Sequence, residues 1–317
     1  MPLIPNSSSK ATHTQVKESE KKDSQFKKSE PLYNLSDLIL SNKTLDELKT
    51  VISAQENWKK VFVDWGLGTV MKERKNLFIN LYGESGTGKS MSAHAIASTL
   101  GKKLICVNYA DIESKYVGET SKNLSKLFED PDNKNDIIFF DEADALLSKR
   151  VTDMSSATDV SVNQTRSVLL TLLNSYEGMV IFATNFISNY DSAFMRRIHY
   201  HIKFELPNAE LREKLWKHYI PAQMPVNIDM HKLSEEYDRL SGSDISTAVM
   251  KAALNAAKNN ASVVSEEDFK LAIESIIASK QANRDSNKTI ITKSEIVDEK
   301  EVPLAIREKL NQNKGGI

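Results

Sequence analysis

The sequence predicts an α/β protein in which a parallel sheet is covered by helices on both faces and is followed by a small all-α domain. Between residues 77 and 204, short runs rich in β-branched and aromatic residues alternate with helical stretches. Several of these runs are apolar at consecutive positions, as in strands that are buried on both faces. After Pro207 the apolar spacing becomes purely helical. The alternation therefore predicts three layers, and the change at Pro207 predicts the second domain.

A helix precedes the predicted sheet. Leu45, Leu48 and Ile52 fall at helical spacing, and Gly66 and Gly68 end the stretch after a group of aromatic residues. Five strands are predicted beyond it. They are Leu77–Tyr82, Lys103–Asn108, Ile137–Phe140, Val180–Ala183 and His201–Phe204.

The helical domain is predicted from three further sets of apolar residues, each on one face of a helix. Ser265 is a plausible N-cap for the last of these helices. The sets are Leu211, Leu215 and Tyr219; Ile245, Val249 and Ala252; and Phe269, Ile273 and Ile276.

The composition of the chain divides it into four regions. Residues 1–30 are polar and charged, so we expect a disordered tail, because such a segment buries too little apolar surface to offset its ordering entropy. Residues 31–207 form the α/β domain and residues 208–280 the helical domain. Residues 281–317 are a polar extension with a short helix near Ile306 as its one structured candidate.

Bulk composition excludes some classes of function. The net charge is −1, from 42 Lys plus Arg against 43 Asp plus Glu, so no overall field favours nucleic acid or a membrane surface. The single cysteine, Cys106, lies in an apolar run and is expected to be a buried structural thiol. There is no signal peptide or long apolar run, so we expect a cytoplasmic protein without membrane contact.

A phosphate-binding pattern follows the first predicted strand. The pattern G-x-x-x-x-G-K-S, which we call the P-loop, predicts ATP bound with Mg²⁺ because glycines let backbone N–H groups surround phosphates. The lysine then supplies a cation and the serine a Mg²⁺ ligand. The alternative is a glycine-rich turn without a ligand. The P-loop residues are Gly83, Glu84, Ser85, Gly86, Thr87, Gly88, Lys89 and Ser90.

Polar residues end two later strands. Asp141 follows Ile137–Phe140 and would help to hold Mg²⁺, while Glu142 would act as the catalytic base toward water. Asn185 ends another apolar strand and would contact the γ-phosphate or the water. The alternatives are a solvated acidic turn and a turn-forming asparagine.

Two adjacent arginines, Arg196 and Arg197, end a helix-like segment. A charge pair in this place is often a solvated helix face. The functional interpretation is an arginine finger that reaches the ATP of a neighbouring subunit.

Taken together, residues 31–280 resemble an AAA module of the AAA+ ATPases. Ile137–Asp144 corresponds to Walker B, Asn185 to sensor 1 and Asp191–Arg197 to the arginine-finger segment. The resemblance implies a P-loop NTPase sandwich with strand order 5-1-4-3-2, a helical lid and a hexameric ring. It also implies that Gly242 and Ser243 lie near the adenosine, and that Asp37 and Leu38 lie against the adenine.

The segment Lys115–Glu119 resembles the first pore loop of this family. Tyr116 and Val117 would then grip a client polypeptide in the centre of the ring, whereas the alternative is that both side chains pack beneath the loop. Two departures from the family pattern stand out. Glu84 and Ser85 replace a pair of prolines, with little expected consequence, and His199–His201 occupy a stretch where many members carry a further arginine.

The leading functional hypothesis is an ATP-hydrolysing protein remodeller that threads a client through a ring. Within that class, the resemblance extends to bacterial single-ring ATPases that open HORMA-domain proteins in antiphage systems, and to others that accompany contractile injection systems. A nucleic-acid loader or translocase is a disfavoured alternative, because no concentrated basic stripe is present. A scaffold that binds ATP without hydrolysing it is disfavoured by Glu142, Asn185 and the two arginines.

Overall fold

A computed structural model describes residues 26–71, 75–108, 112, 119–148, 157–185 and 190–286. A six-stranded sheet lies at its centre, with the spatial order β1-β3-β4-β5-β2-β6. The strands are β1 (Lys28–Ser29), β2 (Leu77–Gly83), β3 (Leu104–Val107), β4 (Ile137–Phe140), β5 (Met179–Thr184) and β6 (Tyr200–Phe204). Strands β2 to β6 are parallel. Counted from β2, they follow the predicted order 5-1-4-3-2.

The edge strand β1 corrects the predicted extent of the N-terminal tail. Lys28 and Ser29 pair antiparallel with β3, and Phe26 is 6% exposed within the core. The Lys28 ammonium lies 2.8 Å from a carboxylate oxygen of Asp136. One large apolar group and one ion pair therefore order residues 26–30, which were expected to be disordered. Residues 1–25 lie outside the described part of the chain.

Helices cover both faces of the sheet, as the continuous apolar strands predict. One face packs on α1 and α2 and the other on α3 and α5, which gives two apolar clusters. The helices of this region are α1 (Asn42–Glu56), α2 (Lys89–Thr99), α3 (Glu119–Glu129), α4 (Asp144–Leu147), α5 (Ala157–Ser175) and α6 (Ser192–Met195). The helix was predicted to end at Gly66 and Gly68. In the structure, α1 is followed by two short helical turns at 60–64 and 67–69, with Gly66 between them.

The rest of the described chain is helical apart from one pair of very short strands. Its elements are α7 (Ala209–Tyr219), β7 (Val226–Asn227), α8 (Met230–Glu236), α9 (Gly242–Lys258), β8 (Val264–Ser265) and α10 (Glu266–Ser286). Ser265 caps α10 as predicted, since its hydroxyl accepts from the Asp268 N–H and its own N–H donates to the Asp268 carboxylate. The helix continues past residue 280, where the polar extension was expected to begin. Residues 287–317, including Ile306, lie outside the described part.

The chain forms two compact units. The first ends at His218 and also takes in Met230–Ser243, and the second consists of Tyr219–Asp229 and the chain from Asp244 onward. The division lies further along the chain than the boundary expected after residue 207. Arg212 accounts for this, because its buried guanidinium donates to the carbonyls of Pro207, Ser234 and Asp238.

Cys106 is exposed, and the expectation of a buried thiol is wrong. The residue lies on β3, next to the two-residue edge strand, where the Ser29 hydroxyl is 3.8 Å from its sulfur. Its apolar sequence neighbours Ile105 and Val107 point to the other face, where they are fully buried.

Candidate functional site

The P-loop joins the end of β2 to the start of α2 and depends on glycine at two tight positions. Gly83 has a φ of 149°, and a Cβ there would lie 2.0 Å from the Phe204 carbonyl oxygen. Gly86 has a φ of 75°, and a Cβ there would lie 2.6 Å from the Ser241 hydroxyl. Neither backbone position accepts a side chain. The loop therefore keeps a narrow turn that leads directly into a helix N-terminus, the arrangement that binds phosphate.

Lys89 is the first residue of α2, and its side chain reaches back to the P-loop. Its ammonium donates to the carbonyls of Gly83 (2.9 Å) and Glu84 (3.0 Å) and to Oδ1 of Asn185 (3.1 Å). Burial lowers its pKa, and the charges of Asp141 and Asp144 oppose that shift. The predicted phosphate-binding cation and the predicted sensor residue are thus in direct contact.

Ser90 and Asp141 come together at the predicted metal position. The Ser90 hydroxyl donates to Oδ2 of Asp141 at 2.8 Å. In the described residues, no group of three His, Cys, Asp or Glu side chains converges on a common point. A hydroxyl and one carboxylate beside a phosphate-binding loop fit Mg²⁺, which is usually held by one or two carboxylates together with phosphates and water.

Glu142 projects from the turn after β4 with a φ of 50°, a left-handed conformation that is unusual for a non-glycine residue. It is exposed, and its N–H donates to Oδ1 of Asp141 at 3.0 Å. The turn is tied to β5 because the Ala143 N–H donates to the Ala183 carbonyl. Glu142 therefore directly follows Asp141 in a turn that is fixed to β5.

Asp144 has a role that the sequence did not reveal. Its two carboxylate oxygens accept from the Asn185 N–H at 3.1 and 3.2 Å. This contact fixes the end of β5 against the acidic turn and so orients Asn185 toward Lys89. Its position three residues after Asp141 was the only signal for this role in the sequence.

The two arginines follow α6 and differ in their environment. The Arg197 guanidinium is held by Oδ1 of Asn174 and by the Ala193 carbonyl, both at 2.7 Å. Arg196 is exposed, and its Nε makes a longer bond of 3.3 Å to the Ser192 carbonyl. These hydrogen bonds connect the arginines to α6 and, through Asn174, to α5, and none of them involves the P-loop of the same chain.

Of the four residues expected near the adenosine or the adenine, Gly242 and Ser243 lie beside the P-loop. The Ser243 N–H donates to the Gly86 carbonyl at 3.2 Å, and a Cβ on Gly242 would lie 3.5 Å from the same oxygen. The Asp37 carboxylate instead accepts from the Asn34 N–H, and Leu38 is buried in the core. Leu40 is the residue of this segment that approaches the loop, 3.6 Å from the position of a Cβ on Gly88.

Glu84 makes a contact that was not expected from the sequence. Its carboxylate lies 3.3 Å from the Arg239 guanidinium, and both side chains are about half exposed. The replacement of proline by Glu84 was expected to have little consequence, whereas it connects the P-loop to the segment that carries Gly242 and Ser243. Tyr116 and Val117, the predicted pore residues, lie outside the described residues.

Comparison with known proteins agrees with this geometry. Residues 79–206 match the family model described as ATPase family associated with various cellular activities (AAA). Residues 79–206 belong to the AAA family. The match spans β2 to β6 and therefore includes the P-loop, the acidic turn, Asn185 and both arginines.

Curated relatives of this AAA module extend the similarity beyond those residues. The proteasome-activating nucleotidase of Methanocella arvoryzae is 33% identical over 205 residues, which cover 62% of this chain and 49% of that protein. The 26S proteasome regulatory subunit 8 homolog of Schizosaccharomyces pombe is 30% identical over 243 residues (74% and 59%). The regulatory subunit 4 homolog B of Arabidopsis thaliana is 29% identical over 259 residues (79% and 57%).

The chain spans about half to three-fifths of the length of these relatives. Within the described residues, no helix combines the length and apolar character needed to cross a membrane.

Proposed function

We propose that this protein binds ATP with Mg²⁺ and hydrolyses it at a site completed by a second copy of the chain. The observation that carries the proposal is the convergence of Ser90 with Asp141 and of Lys89 with Asn185 at one end of the sheet. Lys89 would neutralise the β and γ phosphate oxygens, and Ser90 and Asp141 would hold Mg²⁺, which offsets charge on the same oxygens.

We propose the remaining chemical roles from the same group of residues. Glu142, exposed beside Asp141, would accept a proton from the attacking water, and Asn185 would orient the γ-phosphate or that water. Asp144 holds Asn185 in place through the backbone N–H. These roles need no contribution from a covalent intermediate, because phosphoryl transfer depends on positioning and charge stabilisation.

Completion of the site by a neighbour is supported by the position of the arginines. Arg196 is exposed at the end of α6, whereas Arg197 is held by its own chain. An exposed guanidinium that does not serve its own P-loop is suited to reach the site of the next subunit. We therefore propose Arg196 as the main finger, with Arg197 supporting the segment that carries it.

We propose that ATP hydrolysis drives mechanical remodelling of a client protein by a homo-oligomeric ring. The expected oligomeric state is a hexamer. Support comes from the similarity to proteasome regulatory ATPases and from the pore-loop pattern at Tyr116 and Val117. A HORMA-domain protein is the narrower client prediction. Clients of a contractile injection system, or a nucleic acid, are the other outcomes that the experiments below distinguish.

Dilution tests hydrolysis and assembly together. Specific ATPase activity per chain is expected to rise with protein concentration in parallel with the oligomer fraction seen by analytical ultracentrifugation, because the site needs a neighbour.

A substitution tests the catalytic base. Glu142→Gln is expected to lower kcat by about 10²–10⁴-fold. The matched control is Glu177→Gln, which changes an exposed carboxyl at the far end of β5. In the dilution experiment, full ATPase activity in the monomer would contradict a site that is shared between two subunits.

A trap identifies the client. Glu142→Gln is expected to bind ATP and retain its client, whereas Lys89→Ala, which loses the phosphate-binding cation, is the control that should retain none. Proteins captured by the first variant and absent from the second are then identified by mass spectrometry. Nucleic acid in that fraction, or client remodelling that survives Tyr116→Ala, would contradict the threading proposal.

A further inference from the structure

A buried polar cluster lies behind the catalytic end of the sheet. Asn80, in the middle of β2, is fully buried, and its Oδ1 accepts from the Thr184 hydroxyl at 3.3 Å. The Tyr190 hydroxyl donates to the same Thr184 oxygen, and Tyr190 is 6% exposed. Polar groups in an apolar sheet cost free energy unless they are hydrogen-bonded, so their presence here needs an explanation.

His201 extends this cluster across the neighbouring strand. His201 is paired with Asn80 in the parallel register of β6 and β2. Its neighbours Tyr200 and Ile202 pack against the opposite face of the sheet. Its ring is hydrogen-bonded to the Met195 backbone. Among the described residues, Nδ1 of His201 and Nδ2 of Asn80 are buried without a hydrogen-bond partner. The four residues Asn80, Thr184, Tyr190 and His201 are called the polar cluster below.

The polar cluster touches both ends of α6. Tyr190 directly precedes Asp191, which caps the helix by accepting from the Ala193 N–H, and Met195 is the last helical residue. Thr184 directly precedes Asn185, and Asn80 lies three residues before Gly83. The cluster therefore connects the strand that leads to the P-loop with the short helix that presents Arg196.

The backbone around Tyr190 has a second attachment. Ser148 and Tyr190 form an isolated antiparallel bridge, and the Asp191 N–H donates to the Leu147 carbonyl at 2.9 Å. These contacts join the segment to the end of α4, directly after the acidic turn. The side chains of the polar cluster add directional hydrogen bonds at both ends of α6.

We propose that Tyr190 and Asn80 are positioning residues that hold α6 so that Arg196 reaches the ATP site of the neighbouring subunit. The inference rests on the proposed role of Arg196 as a finger in trans. It gives a role to a buried asparagine with an unpartnered donor on an interior strand of the sheet. The helix is anchored by Phe194, which is fully buried, and the hydrogen bonds at Tyr190 and Met195 add directional contacts at its two ends.

The first test compares two buried tyrosines that each lose one hydroxyl. Tyr190→Phe is expected to lower kcat about 5- to 20-fold while the KM for ATP stays within about twofold, since one hydrogen bond that aligns the finger is lost. Tyr176→Phe is the matched control, because its hydroxyl donates to the Asn133 carbonyl away from the P-loop. Equal effects of the two variants on kcat would overturn the inference.

The second test separates positioning from stability. Asn80→Leu removes a buried donor that lacks a partner, together with the acceptor of the Thr184 hydroxyl, and puts an apolar side chain of similar size in their place. The midpoint of urea unfolding is expected to change little, because removal of the unpartnered donor offsets the lost bond from Thr184, whereas kcat falls by about the same factor as in Tyr190→Phe. Wild-type kcat in Asn80→Leu would show that the cluster has no positioning role.

The third test asks which subunit carries the defect. Tyr190→Phe is mixed with more than one equivalent of Glu142→Gln. The site of Glu142→Gln is itself inactive, but its α6 and Arg196 are intact. Activity per Tyr190→Phe chain, relative to wild type in the same mixture, is expected to rise toward one. Absence of this rescue would place the defect at Asn185 of the same chain and overturn the inference.

Arg196→Ala distinguishes the two levels of the proposal. If Arg196→Ala keeps wild-type kcat, the finger role itself is wrong. If Arg196→Ala loses activity while Tyr190→Phe behaves like Tyr176→Phe, the finger role stands and the positioning role of the polar cluster is wrong.

Discussion

The Ser90 hydroxyl donates to Oδ2 of Asp141 across 2.8 Å, although the two residues are 51 positions apart. Each follows a strand of the parallel sheet: Ser90 is the last residue of the P-loop that follows β2, and Asp141 directly follows β4. Parallel strands end at the same edge, so two sequence motifs come together at the position proposed for Mg²⁺. This pair supports the assignment of Mg²⁺ more directly than either motif does alone.

The Ser90 hydroxyl is expected to set the Mg²⁺ requirement. Ser90→Ala removes one of the two protein oxygens at the metal position and should raise the Mg²⁺ concentration for half-maximal ATPase activity at least about tenfold. Ser90→Thr keeps the hydroxyl and should remain near wild type. The measurement is ATPase rate against free Mg²⁺, with Ser279→Ala, on the exposed surface of α10, as the control. An unchanged Mg²⁺ dependence in Ser90→Ala would rule out the assignment.

The ion pair between Glu84 and Arg239 is expected to make a small, salt-dependent contribution to nucleotide retention. Because both side chains are about half exposed, their coupling should amount to only about 0.2–1 kcal/mol. The measurement is a double-mutant cycle of Glu84→Gln and Arg239→Gln, read as the dissociation rate of a fluorescent ADP analogue. The coupling should disappear at high salt. A coupling that salt leaves unchanged would argue against an ion pair.

Arg212 is expected to stabilise the first compact unit strongly. Arg212 is 5% exposed, and its guanidinium donates to the carbonyls of Pro207, Ser234 and Asp238, which would be left without this donor in Arg212→Met. We expect a loss of about 3 kcal/mol in the free energy of unfolding. Urea unfolding monitored by the fluorescence of the buried Trp216 measures it. Lys214→Met, exposed on the same helix, should cost less than about 0.5 kcal/mol.

Stability is expected to fall in mild acid because of two histidines. Burial lowers the pKa of His94 and of His201 below the usual value near 6.5. As the pH falls through that value, the unfolded chain binds protons before the folded chain does, so the free energy of unfolding decreases. The double variant His94→Gln/His201→Gln should show a smaller loss between pH 7.5 and 5.5. His231→Gln, an exposed control, should keep the wild-type pH dependence.

The existence of the parallel strands and the P-loop was predictable because their signals are local, whereas the order of the strands was implied by the family resemblance. Continuous apolar runs define β4 and β5, and the glycine pattern requires a strand before it and a helix after it. Asp141, Glu142 and Asn185 were identified as candidates for the same reason, since they lie at the ends of such runs. The prediction for Tyr116 and Val117 is untested by the described residues.

Long-range contacts were not predictable from these patterns. Glu84 and Arg239 are 155 positions apart, and Lys28 and Asp136 are 108 apart, so only the folded chain brings each pair together. Cys106 was assigned to the core from its apolar neighbours, but burial depends on what covers a strand position. The link from Tyr190 to Thr184 was missed because a single tyrosine before a helix carries no periodic signal.

The central claim, that one subunit completes the ATP site of the next, is tested most directly by mixing two inactive variants. Arg196→Ala retains Lys89, Ser90, Asp141 and Glu142 but lacks the finger, and Glu142→Gln retains the finger but lacks the base. Each is expected to be nearly inactive alone, and mixed oligomers should recover a substantial fraction of wild-type ATPase activity. If every mixture stays as inactive as its components while forming mixed oligomers, Arg196 does not act across the subunit boundary.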